Sequence, residues 1–323
     1  MTPDAPPTPD PPSFTTGVEP PYIRTLFLGP GGLRPGWGLL FYLVLYLVLD
    51  QLLDNIAYNA FHNHPLWSQV LEKFADLAAA LIPAFLLMKI ERRPWRSYGL
   101  GWKQAFRSRF WLGALWGFAA LTVLISALHA LRGYDFGHIV LHGARIEEFA
   151  AYWAAMFLLV GLYEEFLFRG YTQFTLARGV RFWPAALLSS CAFAAVHSNN
   201  PGETAAGLSG VFAIGFFFCL TLRRTGSLWF AVGFHAAWDW GETFFYSVPD
   251  SGWIAPGHLL SSRLHGPDWL TGGSVGPEAS LLCFATIALT ALTFAVTHCP
   301  STTACPTESA TGTTEDAAKN DSA

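Results

Sequence analysis

Residues 164–169 read Glu164-Glu165-Phe166-Leu167-Phe168-Arg169, and they close a run from Ala150 to Tyr163 that carries no charge. Ionisable groups at membrane depth are costly, and they mark a transport pathway, a proton relay or a reaction site. Two similar interruptions follow, Phe193-Ala-Ala-Val-His197 and His235-Ala-Ala-Trp-Asp239, each set in apolar sequence. A carboxylate beside imidazoles can take a proton from water and return one to a leaving group. Two histidines and one glutamate also make a donor set for a catalytic zinc with an open position for water. Hydrolysis is the chemistry to which this set points.

Spacing divides the labour. Glu165 and Arg169 are four residues apart on one helix face, so they suit an intrahelical ion pair that makes a buried arginine tolerable. Glu164 points about 100° away from Glu165 and is free to face the interior of a bundle. His235 and Asp239 are also four apart, so Asp239 either orients the imidazole or shares its site. Glu164 is then the residue for chemistry, with Glu165 and Arg169 as support.

The elements that must position these groups are membrane helices. The 323-residue chain is 52% hydrophobic and 13% charged, against about 25% charged residues in a soluble domain. Apolar runs predict eight spans, at roughly 37–53, 73–90, 110–131, 149–168, 183–198, 205–222, 227–246 and 279–298. Most reach the ~17–25 residues that a crossing helix needs; the second carries Asp76 and Pro83, and the fifth is short. No segment shows the alternation over ~10 residues of a β-barrel strand series. The expected fold is an all-α polytopic bundle of about eight transmembrane helices around a polar cavity. A Pro-rich segment 1–30 and a Ser/Thr/Ala-rich tail 301–323 read as disordered, leaving 31–300 as the membrane domain with its core motifs in 149–246. Cys191, Cys219 and Cys283 read as small buried hydrophobes, and the five cysteines show neither metal spacing nor a disulfide framework. The net charge of −4 argues against a nucleic-acid surface.

Orientation follows from the basic residues. With a cytoplasmic N-terminus, the inside segments collect fifteen of the nineteen Lys and Arg residues, leaving Lys73, Arg132, Arg145 and Arg263 outside. The positive-inside rule then puts both termini in the cytoplasm of a multi-pass plasma (inner) membrane protein. Trp253 and Trp269 fall in an outer loop, Ser247 to Pro277, at interfacial depth. At ~1.5 Å rise per residue, His235 lies about 12 Å and His197 roughly 15–20 Å from the inner boundary, and Glu164 lies about 22 Å from the outer boundary of a ~30 Å core. All three fall at depths where they can meet.

The order Glu164-Glu165-x-x-x-Arg169, Phe193-x-x-x-His197, His235-x-x-x-Asp239 resembles the three-motif pattern of the CPBP family, the CAAX-protease and bacteriocin-processing intramembrane proteases. One such motif alone is weak; three in order at membrane depth are specific. The resemblance covers about residues 110–246 and implies an intramembrane endopeptidase. It implies catalytic places for Glu164, His197, His235 and Asp239, with Glu165, Arg169 and Phe193 supporting. Its substrate would be a membrane-associated or lipidated peptide or protein, reached from the bilayer or the cytoplasmic side, with membrane lipids around it. Two mechanisms fit. In one, Glu164 is the base for water and His197 assists, while His235 and Asp239 sit at the developing oxyanion; an Asp there must be protonated or act through His235. In the other, Glu164, His197 and His235 hold Zn2+, although no His-Glu-x-x-His helix is present. The metal-free version, with no cofactor, is favoured.

Blander readings compete with this one. The Glu pair can be an interfacial face, His197 a helix-end histidine, and His235 a structural hydrogen-bonding group. A catalytically idle scaffold or a bacteriocin self-immunity protein would not need all of Glu164, His197 and His235. A secondary transporter also uses charges at the midplane, yet the polar motifs all follow residue 160, with no repeat between halves. The orientation has its own test. A cysteine probe at Ser97 should be shielded from an impermeant outside reagent and one at Gly266 labelled; the opposite pattern would invert the topology.

Overall fold

The computed structural model describes residues 26–29, 32–61 and 65–298. The remaining expectations for the two ends lie outside these residues, as do Cys299 and Cys305. Regular backbone already occurs at Leu28–Gly29, inside the segment expected to lack structure, where it pairs antiparallel with Gly32–Leu33.

The fold is an all-α bundle, and each predicted span has its helix. These are α1 (Pro35–Phe61), α2 (Pro65–Glu91), α3 (Ser108–Ala130), α4 (Ala144–Glu165), α5 (Gln173–Val180), α6 (Phe182–His197), α7 (Ala205–Thr225), α8 (Trp229–Trp240) and α9 (Leu281–Thr297). Among the described residues, four stretches are long and apolar enough to cross a membrane: Pro35–Ala60, Ser108–Ala130, Ala144–Val180 and Ala205–Thr225. The helices Phe182–His197 and Leu281–Thr297 are apolar but shorter. The local signals are conventional. Thr204 caps α7 by accepting from the Gly207 amide at 3.1 Å, and Gly226 ends that helix at φ 65°, a left-handed value that glycine adopts without strain. Ser280 caps α9 by accepting from the Cys283 amide at 3.1 Å.

Several boundaries differ from the sequence reading, each for a physical reason. The second helix begins at Pro65 rather than near 73 and runs unbroken through Pro83. Lys73 is therefore a helical residue, paired with Asp76 at 2.8 Å, and not part of an outside loop. The fourth span does not stop near 168. It passes through a widened turn, Phe166–Thr172, into α5, with a non-helical backbone at Gly170 (φ −81°, ψ −112°). Arg169 lies in that turn with a side chain 0% exposed, so it leaves the set of inside-loop cations. Cys191 is exposed on α6, whereas Cys219 and Cys283 are buried as expected.

The site-bearing α8 is held in the middle. It packs chiefly on α3 and α4, while α1 pairs with α2 and α6 with α7. The α3–α8 contact is made by glycines. A Cβ at Gly113 or Gly117 would run into the carbonyl oxygens of Phe230 and Phe234, and one at Gly233 into that of Phe110. Gly113 and Gly117 are four apart, the small-xxx-small spacing that lets helix backbones touch. Gly161 does the same for α4, where a Cβ would lie 3.2 Å from the Val232 carbonyl oxygen and 3.6 Å from His235 Cβ. We therefore expect Gly117→Val to push α8 outward and to cost about 1–3 kcal/mol of stability, as overpacking does. It should show as a lower unfolding midpoint and folded yield in detergent. Gly36→Ala, where a Cβ meets nothing within 4 Å, should change neither.

Candidate active site

Two carboxylates at the end of α4 face different surroundings. Glu165 is fully buried, and its Oε1 accepts from Arg169 Nη1 at 3.2 Å and from His235 Nδ1 at 3.1 Å. Glu164, one residue earlier, faces the cavity with an 18% exposed side chain, and its Oε2 stands 3.6 Å from His235 Nε2. The widened turn after Glu165 carries the Arg169 guanidinium inward, and such turns recur at functional sites. There Arg169 Cζ lies 4.1 Å from the Phe193 ring centroid. Gly215 of α7 makes the room, since a Cβ there would strike Arg169 Nη2.

Phe193 links the three sequence motifs. Its ring carries the Arg169 cation and meets His197 edge-on at 4.6 Å and His235 edge-on at 6.4 Å. One turn later on α6, His197 Nδ1 is 2.8 Å from the Phe193 carbonyl oxygen. With Nδ1–H donated to that carbonyl, Nε2 is left with its lone pair. His235 is held the same way: Glu165 takes Nδ1–H, and the Phe218 ring stacks on the imidazole at 5.7 Å. Asp239 does not orient the ring through Nδ1. Its Oδ2 lies 3.4 Å from Nε2, so it shares the open side of His235 with Glu164. Glu165 thus supports His235 as well as Arg169, a second contact that the spacing within α4 did not reveal.

Glu164, His197, His235 and Asp239 all line one cavity of about 500 Å3. Its walls are largely apolar, with Trp153, Phe157 and Phe218 among them, and Gln69 and Lys73 of α2 add polar groups. No direct hydrogen bond joins His197 to the other three among the described residues, so this histidine addresses them across the cavity. Lining with aromatic and aliphatic side chains around a few convergent polar groups is the common form of a small-molecule or peptide site.

The donor types of Glu164, His197 and His235 would suit zinc. Among the described residues, the carboxylate or imidazole sets with ligand atoms mutually within 4.8 Å are Asp50–Asp54–Asp76 and Glu242–Asp250–Glu278. Glu164, His197 and His235 are not such a set. The acidic residues Glu242, Asp250 and Glu278 were not singled out from the sequence. Glu242 does leave a signal there, a charge in an apolar run three residues after Asp239. Three other histidines make local contacts away from this cluster: His129 bonds the Tyr134 carbonyl at 2.8 Å, His265 pairs with Asp135 at 3.0 Å, and His298 stacks on Phe294. His62 and His64 lie outside the described residues.

Residues 146–241 match the family model of the Rce1-like type II CAAX prenyl endopeptidases. The match spans all three motifs and agrees with the family read from them. No curated protein and no solved structure matches the chain.

The buried pair separates two kinds of mutant. Arg169→Ala leaves Glu165 with one partner in a site without solvent, and breaking a buried pair costs ~3–5 kcal/mol. Folded yield and unfolding midpoint should both fall. Glu164→Gln is nearly isosteric at a partly exposed wall and should leave both unchanged. Equal loss of folded protein in the two variants would refute this division.

Proposed function

We propose that the chain is an intramembrane endopeptidase in which Glu164 activates water against a peptide carbonyl. The domain at 146–241 supports a CAAX-type protease at the level of family. The observation that carries the mechanism is the facing pair of Glu164 Oε2 and His235 Nε2, 3.6 Å apart in a cavity they share with His197 and Asp239.

Water in that cavity gives one proton to Glu164 as its oxygen bonds to the scissile carbonyl carbon. The carbonyl oxygen becomes an oxyanion beside His235, which donates to it through Nε2–H when the ring is cationic. Asp239, 3.4 Å from the same nitrogen, acts through His235 or as a protonated acid. Collapse of the intermediate breaks the C–N bond, and the proton held by Glu164, passed directly or through His197, goes to the leaving amine. Glu165 and Arg169 touch no reacting atom in this scheme; they fix the imidazole. No step needs a metal or another cofactor.

The substrate is a membrane-tethered or lipidated peptide or protein that enters from the bilayer or the cytoplasmic side. The apolar walls suit an extended apolar segment, and polar Gln69 and Lys73 can meet its backbone or terminus. The enzyme sits in the plasma membrane with both termini cytoplasmic. Eight crossings at the predicted spans would return the chain to its starting side, and the positive-inside bias survives the removal of Arg169 from the count. An idle scaffold would not require Glu165 to anchor His235 while Glu164 stays open to the cavity.

Purified protein in detergent should cleave a lipidated reporter peptide, and Glu164→Gln should lower kcat by roughly 10²–10⁴-fold, the usual weight of a general base. Prolonged treatment with a zinc-selective chelator should leave cleavage intact, with well under one equivalent of zinc bound. Activity lost to the chelator and restored by stoichiometric zinc would replace this mechanism with one in which Glu164, His197 and His235 are ligands.

A further inference from the structure

Three carboxylates just beyond the matched segment converge at one wall of the same cavity. Glu242 lies in the widened turn Gly241–Phe245 that ends α8, Asp250 in the loop that follows, and Glu278 in the turn Pro277–Ala279 before α9. One oxygen of each lies within 4.8 Å of the other two. Asp250 and Glu278 line the cavity, together with Thr243 and Asp239.

Their hydrogen bonds account for only part of their capacity. Asp250 Oδ2 accepts from Thr243 Oγ1 at 3.0 Å, and Glu278 Oε2 accepts from the Ser251 amide at 3.0 Å and its Oγ at 2.8 Å. Glu242 is fully buried, and neither of its oxygens has a hydrogen-bond partner, although Trp238 stands beside it. The charges that act on Glu242 are the carboxylates of Glu278, Asp250 and Asp239. Burial first, then Asp239 and Glu278, push the Asp250 carboxyl well above the usual carboxylate range. Like charges gathered this closely, one of them fully buried and two half-buried, favour taking up protons or a counter-ion. A buried Glu with two open oxygens, aimed at two further carboxylates, has the form of a bidentate ligand.

We propose that Glu242, Asp250 and Glu278 bind a hard divalent cation, calcium by their ligand chemistry. The donors are oxygens alone, with no imidazole or thiolate, which favours calcium or magnesium over zinc. They come from a helix end and two loops, a set that adapts to the long, irregular bonds of calcium better than to the tight octahedron of magnesium. The cation ties the end of α8 to the loop after it and to the start of α9. It thereby fixes the cavity wall one turn beyond Asp239. This site is independent of the proteolytic reading and stands or falls by binding alone.

The test uses the full chain, purified in detergent, stripped with EGTA and dialysed against radioactive calcium. One saturable equivalent should bind, and calcium should raise the unfolding midpoint. Glu242→Gln should weaken binding by at least the roughly 10–100-fold that loss of an outer-shell partner costs a metal site, and should abolish the calcium-dependent rise. Asp250→Asn gives the same reading if Glu242→Gln does not fold. Glu147→Gln, exposed in the first turn of α4, should bind as the unaltered chain does. No saturable binding up to the millimolar range would overturn the proposal, as would binding unchanged in both ligand variants. A Glu242→Gln protein more stable than the unaltered chain at every calcium concentration would show that the carboxylates share protons instead. Saturation by magnesium but not calcium would overturn the assignment of the ion.

Discussion

One carboxylate oxygen, Glu165 Oε1, accepts from both Arg169 and His235 with no solvent access. Burying an ion costs several kcal/mol even after relaxation, and a pair offsets this only when geometry and further contacts are good. Here the further contact is the Phe193 ring under the guanidinium, which supplies a cation–π attraction that is largest when water is excluded. Arg169 is therefore tolerable only while α4, α6 and α7 stay together, and His235 keeps its Nδ1 partner only while α8 stays with them. The support for the site and the stability of the bundle interior rest on the same contacts.

Backbone proximity makes this possible. Glycines at 113, 117 and 233 let α3 and α8 touch, and Gly161 lets α8 approach α4 next to His235. A membrane bundle gains little from hydrophobic exclusion between helices, so close packing at small residues carries more of the association. The widened turn after Glu165 adds the second requirement, since it turns Arg169 into the interior before the chain continues as α5. Local irregularity and close helix contact together place two neighbouring glutamates in unlike environments: one locked and dry, the other open to the cavity.

The cavity wall beyond Asp239 extends this pattern of acidic groups. Glu242, Asp250 and Glu278 bring negative charge close to the carboxylate that faces His235 Nε2. Whatever neutralises that cluster also sets the field at Asp239, because the low dielectric around buried groups lets charges act over several ångströms. The loop from Ser247 onward therefore bears on the electrostatics of the site, although it lies outside the segment that carries the three motifs.

The sequence by itself determined the class of the fold and the apolar helices that build it. Charges cannot hide in an apolar run, and helical spacing fixes which neighbours share a face. The Glu165–Arg169 pair was legible for that reason, as were the separate direction of Glu164 and the pairing of His235 with Asp239. Contacts between helices were not legible. That Glu165 holds His235 Nδ1, that Phe193 carries Arg169, and that Asp239 lies on the Nε2 side all depend on how α4, α6 and α8 cross. Helix ends were also misplaced where polar residues continue a helix, as Gln69 and Glu72 do in α2 before the expected start near 73 and Arg169 does beyond Phe168. Composition marks such residues as loop, whereas a polar cavity or a buried partner lets them remain helical. The acidic cluster was decided by tertiary structure in the same way: residues 242, 250 and 278 are far apart along the chain, and only the fold brings their oxygens to one place.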